Sequence, residues 1–122
     1  MRADATVEEL AGRLGDASLV LLDVRSEAEY AGEAGYPCDP RQGHIPGAAH
    51  ADVQRLLAAA DADEVRSLVG APPGAEVVAY CHSGSRSALA AEVLRAAGYD
   101  ARNYPGSWHE WSRDPALPAE TG

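Results

Sequence analysis

The chain predicts an α/β domain built on a mainly parallel sheet, and three features carry that prediction. Two apolar runs, Leu19-Val20-Leu21-Leu22 and Val77-Val78-Ala79-Tyr80, are continuous rather than alternating, as strands buried on both faces must be. Segments with apolar residues at helical spacing lie around and between them. Glycine and proline turns punctuate the series. Strands alternating with helices imply three layers, a central sheet flanked by helices, with right-handed crossovers. Ligands in such sheets bind beyond the carboxyl ends of the strands.

In chain order, Thr6 to Glu9 fits a capping box, with Thr6 as N-cap and Glu9 reaching back. Val7, Leu10, Ala11 and Leu14 continue it as a helix that Gly15 ends. Leu19 to Leu22 is the first strand, closed by Asp23-Val24-Arg25. Ser26 to Glu29 is a second capping box, opening a short helix that ends near Gly32. Residues 32–47 are rich in Gly, Pro and polar residues and form a long loop, a kind that often carries function. Ala48 to His50 is a short strand, and Val53 to Ala60 and Asp63 to Val69 are two short helices. Ala71-Pro72-Pro73-Gly74 is a turn before the strand at Val77 to Tyr80. Ala90, Val93, Leu94 and Ala97 mark a helix stopped by Gly98, and Ala101 to Tyr104 is a last short strand. With 122 residues the chain is expected to form one domain over 1–122, with its core between about residues 6 and 112.

Composition narrows the function. A chain that is 46% hydrophobic and 24% charged reads as soluble and globular. No apolar run approaches the ~20 residues of a membrane span. The first residues do not resemble a signal peptide, so a cytoplasmic location is expected. The formal net charge of -9 argues against nucleic acid and anionic membrane as partners. All ten basic residues are arginine, which with the abundant alanine suggests a GC-rich bacterial coding sequence. Cys38 and Cys81 are too few for a disulfide scaffold, and no His or Cys pair has a convincing metal-ligand spacing, so no metal is expected.

Tyr80-Cys81-His82-Ser83-Gly84-Ser85-Arg86-Ser87 is the decisive stretch. A buried strand runs into it and an amphipathic helix runs out, so Cys81 sits at a strand end facing a helix N-terminus. That terminus presents unsatisfied N–H groups and the positive end of a dipole. Ser83, Gly84 and Ser85 are small enough for the backbone to curl into an anion-binding nest. An ordinary thiol has a pKa of roughly 8.5. The amides, the dipole and Arg86 favour its thiolate, an activated nucleophile. His82 and Ser87 either add hydrogen bonds and charge or are, respectively, a solvated surface residue and a helix cap. Arg86 either contacts a bound anion or braces the loop by a salt bridge.

Cys81-His82-Ser83-Gly84-Ser85-Arg86 resembles the six-residue active-site loop of the rhodanese family. Asp23-Val24-Arg25 is similar to the family's strand-end Asp-x-Arg, and Gly43-His44-Ile45-Pro46-Gly47-Ala48 to its His-Ile-Pro-Gly-Ala signature. Gly106-Ser107-Trp108-His109-Glu110-Trp111 resembles the segment near the end of thiosulfate sulfurtransferase domains. The matches span roughly residues 20 to 111, in the family's order. The resemblance implies a rhodanese-like fold and a thiosulfate sulfurtransferase whose Cys81 becomes a persulfide, and it implies that no organic cofactor is needed. Cyanide or a thiol would be the acceptor, and a protein persulfide donor or acceptor would be a further possible partner.

The remaining candidates have supporting roles. Asp23 and Arg25 are expected to form an ion pair next to the loop, and His44 to fix its own loop by hydrogen bonding. Arg41 either reaches the anion or is solvated. Trp108 and Trp111 are core or lid packing, and the resemblance also allows Trp108 at the pocket mouth. Cys38 is inert or a resolving thiol. Rival readings are a 3-mercaptopyruvate sulfurtransferase, a persulfide carrier, an inactive regulatory module and a cysteine phosphatase or arsenate reductase. The last pair uses Cys-x5-Arg where this chain has Cys-x4-Arg, a smaller cradle better matched to one sulfur than to a tetrahedral oxyanion.

Overall fold

The computed structural model describes residues 3–122. Four parallel strands form the sheet, β1 (Leu19–Asp23), β2 (Ala49–His50), β3 (Glu76–Tyr80) and β4 (Asp100–Asn103), in the order β2-β1-β3-β4. The central pair is in register from Leu19 opposite Glu76 to Asp23 opposite Tyr80. Chain direction therefore diverges between β1 and β3: β1 leads to β2 on one side, β3 to β4 on the other. The crevice beyond the carboxyl ends at such a divergence is where open α/β sheets bind ligands.

Side-chain alternation along the strands makes the three layers. Leu22, Val77 and Ala79 face one way and pack with Val53 and Leu56 of α3 (Val53–Ala58), Val65 and Val69 of α4 (Ala62–Val69), and Ala90 and Leu94 of α5 (Ser85–Ala96). Leu21, Val78 and Tyr80 face the other way, against Leu10 of α1 (Val7–Gly12), Ile45, and Trp108 and Trp111 of α6 (Ser107–Trp111). Cys81 continues the parity of Val77 and Ala79 and joins the α5 side.

Local expectations hold where a cap or an apolar run is explicit. The box at α2 (Glu27–Ala31) is complete: Ser26 accepts from the Glu29 amide, the Glu29 side chain returns to the Ser26 N–H, and Gly32 closes the helix in the left-handed conformation. At α1 only half of the expected box forms. Thr6 Oγ1 accepts from the Glu9 amide at 3.2 Å, but the Glu9 carboxylate turns to Arg102 and Arg13. Two guanidiniums offer more than one backbone N–H, so the ion pairs win. α1 also ends at Gly12, earlier than expected, with Arg13 as its C-cap. Among the described residues no helix is long and apolar enough to cross a membrane.

Candidate active site

β3 delivers Cys81 to the sheet crevice and the backbone then turns sharply into α5. Gly84 makes the turn with φ +95°, and a Cβ there would lie 2.7 Å from the Pro105 carbonyl oxygen. Only glycine combines that dihedral with that approach. The turn aims donors at sulfur. Gly84 N–H donates to Cys81 Sγ at 3.1 Å, and the Ser87 hydroxyl donates at 3.3 Å from the first turn of α5. The same hydroxyl lies 3.2 Å from the Gly84 carbonyl, so its single proton is drawn to sulfur when sulfur is charged.

Burial raises the Cys81 thiol pKa. The Ser87 hydroxyl and the backbone amides of Ser87, Gly84 and Ser83 outweigh that, so the thiol lies below its ordinary value. The positive end of the 12-residue α5 acts in the same direction. Cys81 is almost covered, at 1% exposure, while Ser83 and Ser85 of the same loop are exposed. From behind, Ser107 Oγ accepts from Cys81 N–H at 3.1 Å and donates to the Tyr104 carbonyl at 2.8 Å. Ser107 takes φ +54°, a costly conformation for a residue with a side chain, held by this pair of bonds.

Arg86 braces the loop. Its guanidinium grips both Glu29 carboxylate oxygens at 2.9 and 3.2 Å, tying α5 to the capping box of α2. Burial opposes ionisation of Glu29, but Arg86 and the Ser26 N–H and hydroxyl bring its pKa to about 2. A third of the Arg86 side chain stays exposed beside the loop. Asp23 and Arg25 form the expected ion pair, fully buried, with contacts of 3.0 and 2.7 Å. Arg25 also donates to the Gly43 carbonyl, and its guanidinium lies 5.2 Å from the Trp108 ring. His44 fixes its loop as expected: Nδ1 lies 2.7 Å from the Tyr30 carbonyl and the rings stack at 3.8 Å.

The expectation for Arg41 needs correction, and the structure chooses between the readings left open at Trp108 and His82. Arg41 is neither solvated nor aimed at the crevice. It donates to the carbonyls of Trp111 and Ser112 at the end of α6 and of Asp114 and Leu117 in the tail beyond it. Trp108 is fully buried with Nε1 on the Arg41 carbonyl, so it is core rather than pocket mouth. His82 is not a solvated surface residue. It is buried, stacks on Tyr36 at 3.7 Å, and holds Nε2 2.9 Å from Asp39 Oδ2. This second arrangement also draws in Cys38, His109 and Arg113.

Sequence reasoning names neither Glu29 as partner of Arg86 nor Ser107 as a support of Cys81. Glu29 reads as the closing residue of its capping box, and nothing local shows that its carboxylate also meets a residue 57 positions away. Ser107 is signalled only by its place between Gly106 and Trp108 in the quoted segment.

A family model described as "Rhodanese-like domain" matches residues 6–114. The chain is 36% identical to the thiosulfate sulfurtransferase of Pseudomonas aeruginosa, over 95% of this chain and 45% of that protein. It is 38% identical to a protein of the same organism named "probable 3-mercaptopyruvate sulfurtransferase", over 93% of this chain and 43% of that one. A solved structure of a "probable thiosulfate sulfurtransferase" superposes with a TM-score of 0.81 at 44% identity, over 96% of this chain and 47% of that chain. The chain thus spans less than half the length of these relatives.

Proposed function

This chain belongs to the rhodanese-like domain family, and from that premise we propose that it is a sulfurtransferase moving sulfane sulfur from thiosulfate to cyanide or a thiol through a Cys81 persulfide. The observation that carries the proposal is the convergence of the Gly84 amide and the Ser87 hydroxyl on Cys81 Sγ at the mouth of the sheet crevice. Such donors stabilise the attacking thiolate and serve the terminal sulfur of a persulfide equally well.

The step balances without a cofactor. The Cys81 thiolate attacks the outer sulfur of thiosulfate, the bond from that sulfur to the sulfonate breaks, and sulfite leaves with the bonding pair. Cys81 then carries one extra sulfur as an anionic persulfide. Cyanide attacks that outer sulfur, thiocyanate departs, and the Cys81 thiolate returns. Arg86 holds the loop through Glu29, and its exposed edge offers positive charge to the incoming sulfonate.

One observation favours 3-mercaptopyruvate as an alternative donor. Both basic loop residues face a carboxylate, Arg86 with Glu29 and His82 with Asp39, which reduces the positive field available to a dianion. Steady-state thiocyanate production with each donor separates the two. A higher kcat/KM with thiosulfate is the expected result, and a preference for 3-mercaptopyruvate would reassign the donor.

A further inference from the structure

We propose that Cys38, Asp39, His82 and His109 form a binding site for a zinc ion beside the Cys81 loop. The sequence does not announce it, because no pair of these residues has the spacing of a local metal motif. Folding brings them together from the long loop, the persulfide loop and α6, with one donor atom from each lying within 4.8 Å of all the others.

Tetrahedral zinc, with bonds of about 2.0–2.1 Å to nitrogen or oxygen and 2.3 Å to sulfur, requires donors roughly 3.3–3.7 Å apart. The widest separations must contract by about an ångström, which Cys38 and His109, both exposed, can supply by side-chain rotation, while His82 Nε2 and Asp39 Oδ2, 2.9 Å apart, must part slightly. Sulfur and two imidazoles beside a carboxylate suit a borderline-soft ion and not magnesium or calcium.

An independent feature points the same way. The Asp39 side chain is 1% exposed, and its carboxylate faces His82 Nε2, 2.9 Å from Oδ2 and 3.1 Å from Oδ1. Oδ1 also accepts from Arg113 at 2.9 Å, whereas Oδ2 has no partner besides that imidazole, so Oδ2 is the oxygen better placed for a metal. Arg113 also donates to the carbonyls of Cys38 and His109, and Tyr36 stacks on His82, so the backbone at Cys38 and His109 and the His82 ring are held before any ion arrives. The single positive charge of Arg113 is outnumbered by the Asp39 carboxylate and the Cys38 thiolate that zinc would stabilise.

The site does not depend on sulfur transfer, and the test is arranged so that the two fail separately. Cys81→Ser removes the only other thiol. Cobalt(II), a spectroscopic stand-in for zinc, is titrated into that variant, followed by zinc in competition. The expected result is one ion per chain, a thiolate-to-cobalt charge-transfer band, displacement of cobalt by zinc, and zinc protection of Cys38 from maleimide. Adding Cys38→Ser should abolish the band. Adding His109→Ala should weaken binding at least tenfold, since loss of even an outer-shell partner costs 10–100-fold. Both residues are exposed, so neither change threatens the fold. Absence of binding to Cys81→Ser, or a thiolate band that survives Cys38→Ser, would overturn the proposal.

Discussion

Ser87→Ala isolates the hydroxyl that faces the sulfur. Ser87 is fully buried, and alanine replaces it without adding volume, so the cradle keeps its shape. What is lost is one donor 3.3 Å from Cys81 Sγ. A hydrogen bond to a charged group contributes about 1.5–3 kcal/mol. The Gly84 carbonyl competes for the same proton at 3.2 Å, which places the effect at the low end. At 1.36 kcal/mol per pKa unit, the Cys81 pKa should rise by about one unit. The assay is the rate of iodoacetamide alkylation against pH, performed with Cys38→Ser in both proteins because Cys38 is exposed and would react. Below the wild-type pKa the variant should be alkylated up to about tenfold more slowly, with its titration curve displaced to higher pH. An unchanged curve would refute the claim that this hydroxyl activates the thiol and would leave Ser87 only its bond to the Gly84 carbonyl, since Gly84 and not Ser87 is the N-cap of α5.

Other perturbations test the frame around the thiol. The Glu29 pKa is depressed to about 2 from an ordinary 4.5, so the stability it contributes is present above about pH 4.5 and is lost as pH falls toward 2. Urea unfolding should find Glu29→Gln less stable than wild type by about 2–3 kcal/mol at pH 6, with the gap narrowing steadily at lower pH; a gap independent of pH would contradict the ion-pair account. Gly84→Ala forces a side chain into φ +95° against Pro105 and should cost at least about 1–2 kcal/mol, with a larger fractional loss of sulfur transfer because the Gly84 amide moves off Sγ. Wild-type stability and activity in that variant would show that the turn is not under constraint. Asp23→Asn leaves the Arg25 guanidinium buried and without its counter-charge, at a cost of about 3–5 kcal/mol; thermal unfolding within a degree of wild type would mean that Gly43 and the aromatic rings suffice to hold it.

The parts of the molecule legible in the sequence are those whose cause is local. The apolar runs of β1 and β3 admit only a doubly covered strand, and the structure buries the two faces in separate clusters. Ser26 and Glu29 stand three residues apart and form their box as written. The Cys81 loop announces itself because strand, small residues and helix are contiguous. What stayed hidden depends on distant partners. Glu9 breaks half its box for Arg102, 93 positions away, and Arg41 abandons solvent for carbonyls some 70 positions on. His82 is buried with Tyr36 stacked on it and Asp39 and His109 against its ring. The preference of a long charged side chain is decided by whichever acceptor tertiary folding leaves unpaired, and sequence spacing does not record that.

Intact mass of the protein after incubation with thiosulfate tests the central claim most directly. Wild type should gain one sulfur, about 32 Da for the persulfide, and lose it on addition of cyanide as thiocyanate forms, while Cys81→Ser gains nothing. A wild-type protein that takes up no sulfur from thiosulfate, 3-mercaptopyruvate or a persulfidated protein, or a Cys81→Ser variant that takes it up as readily, would contradict the assignment of sulfur transfer to Cys81.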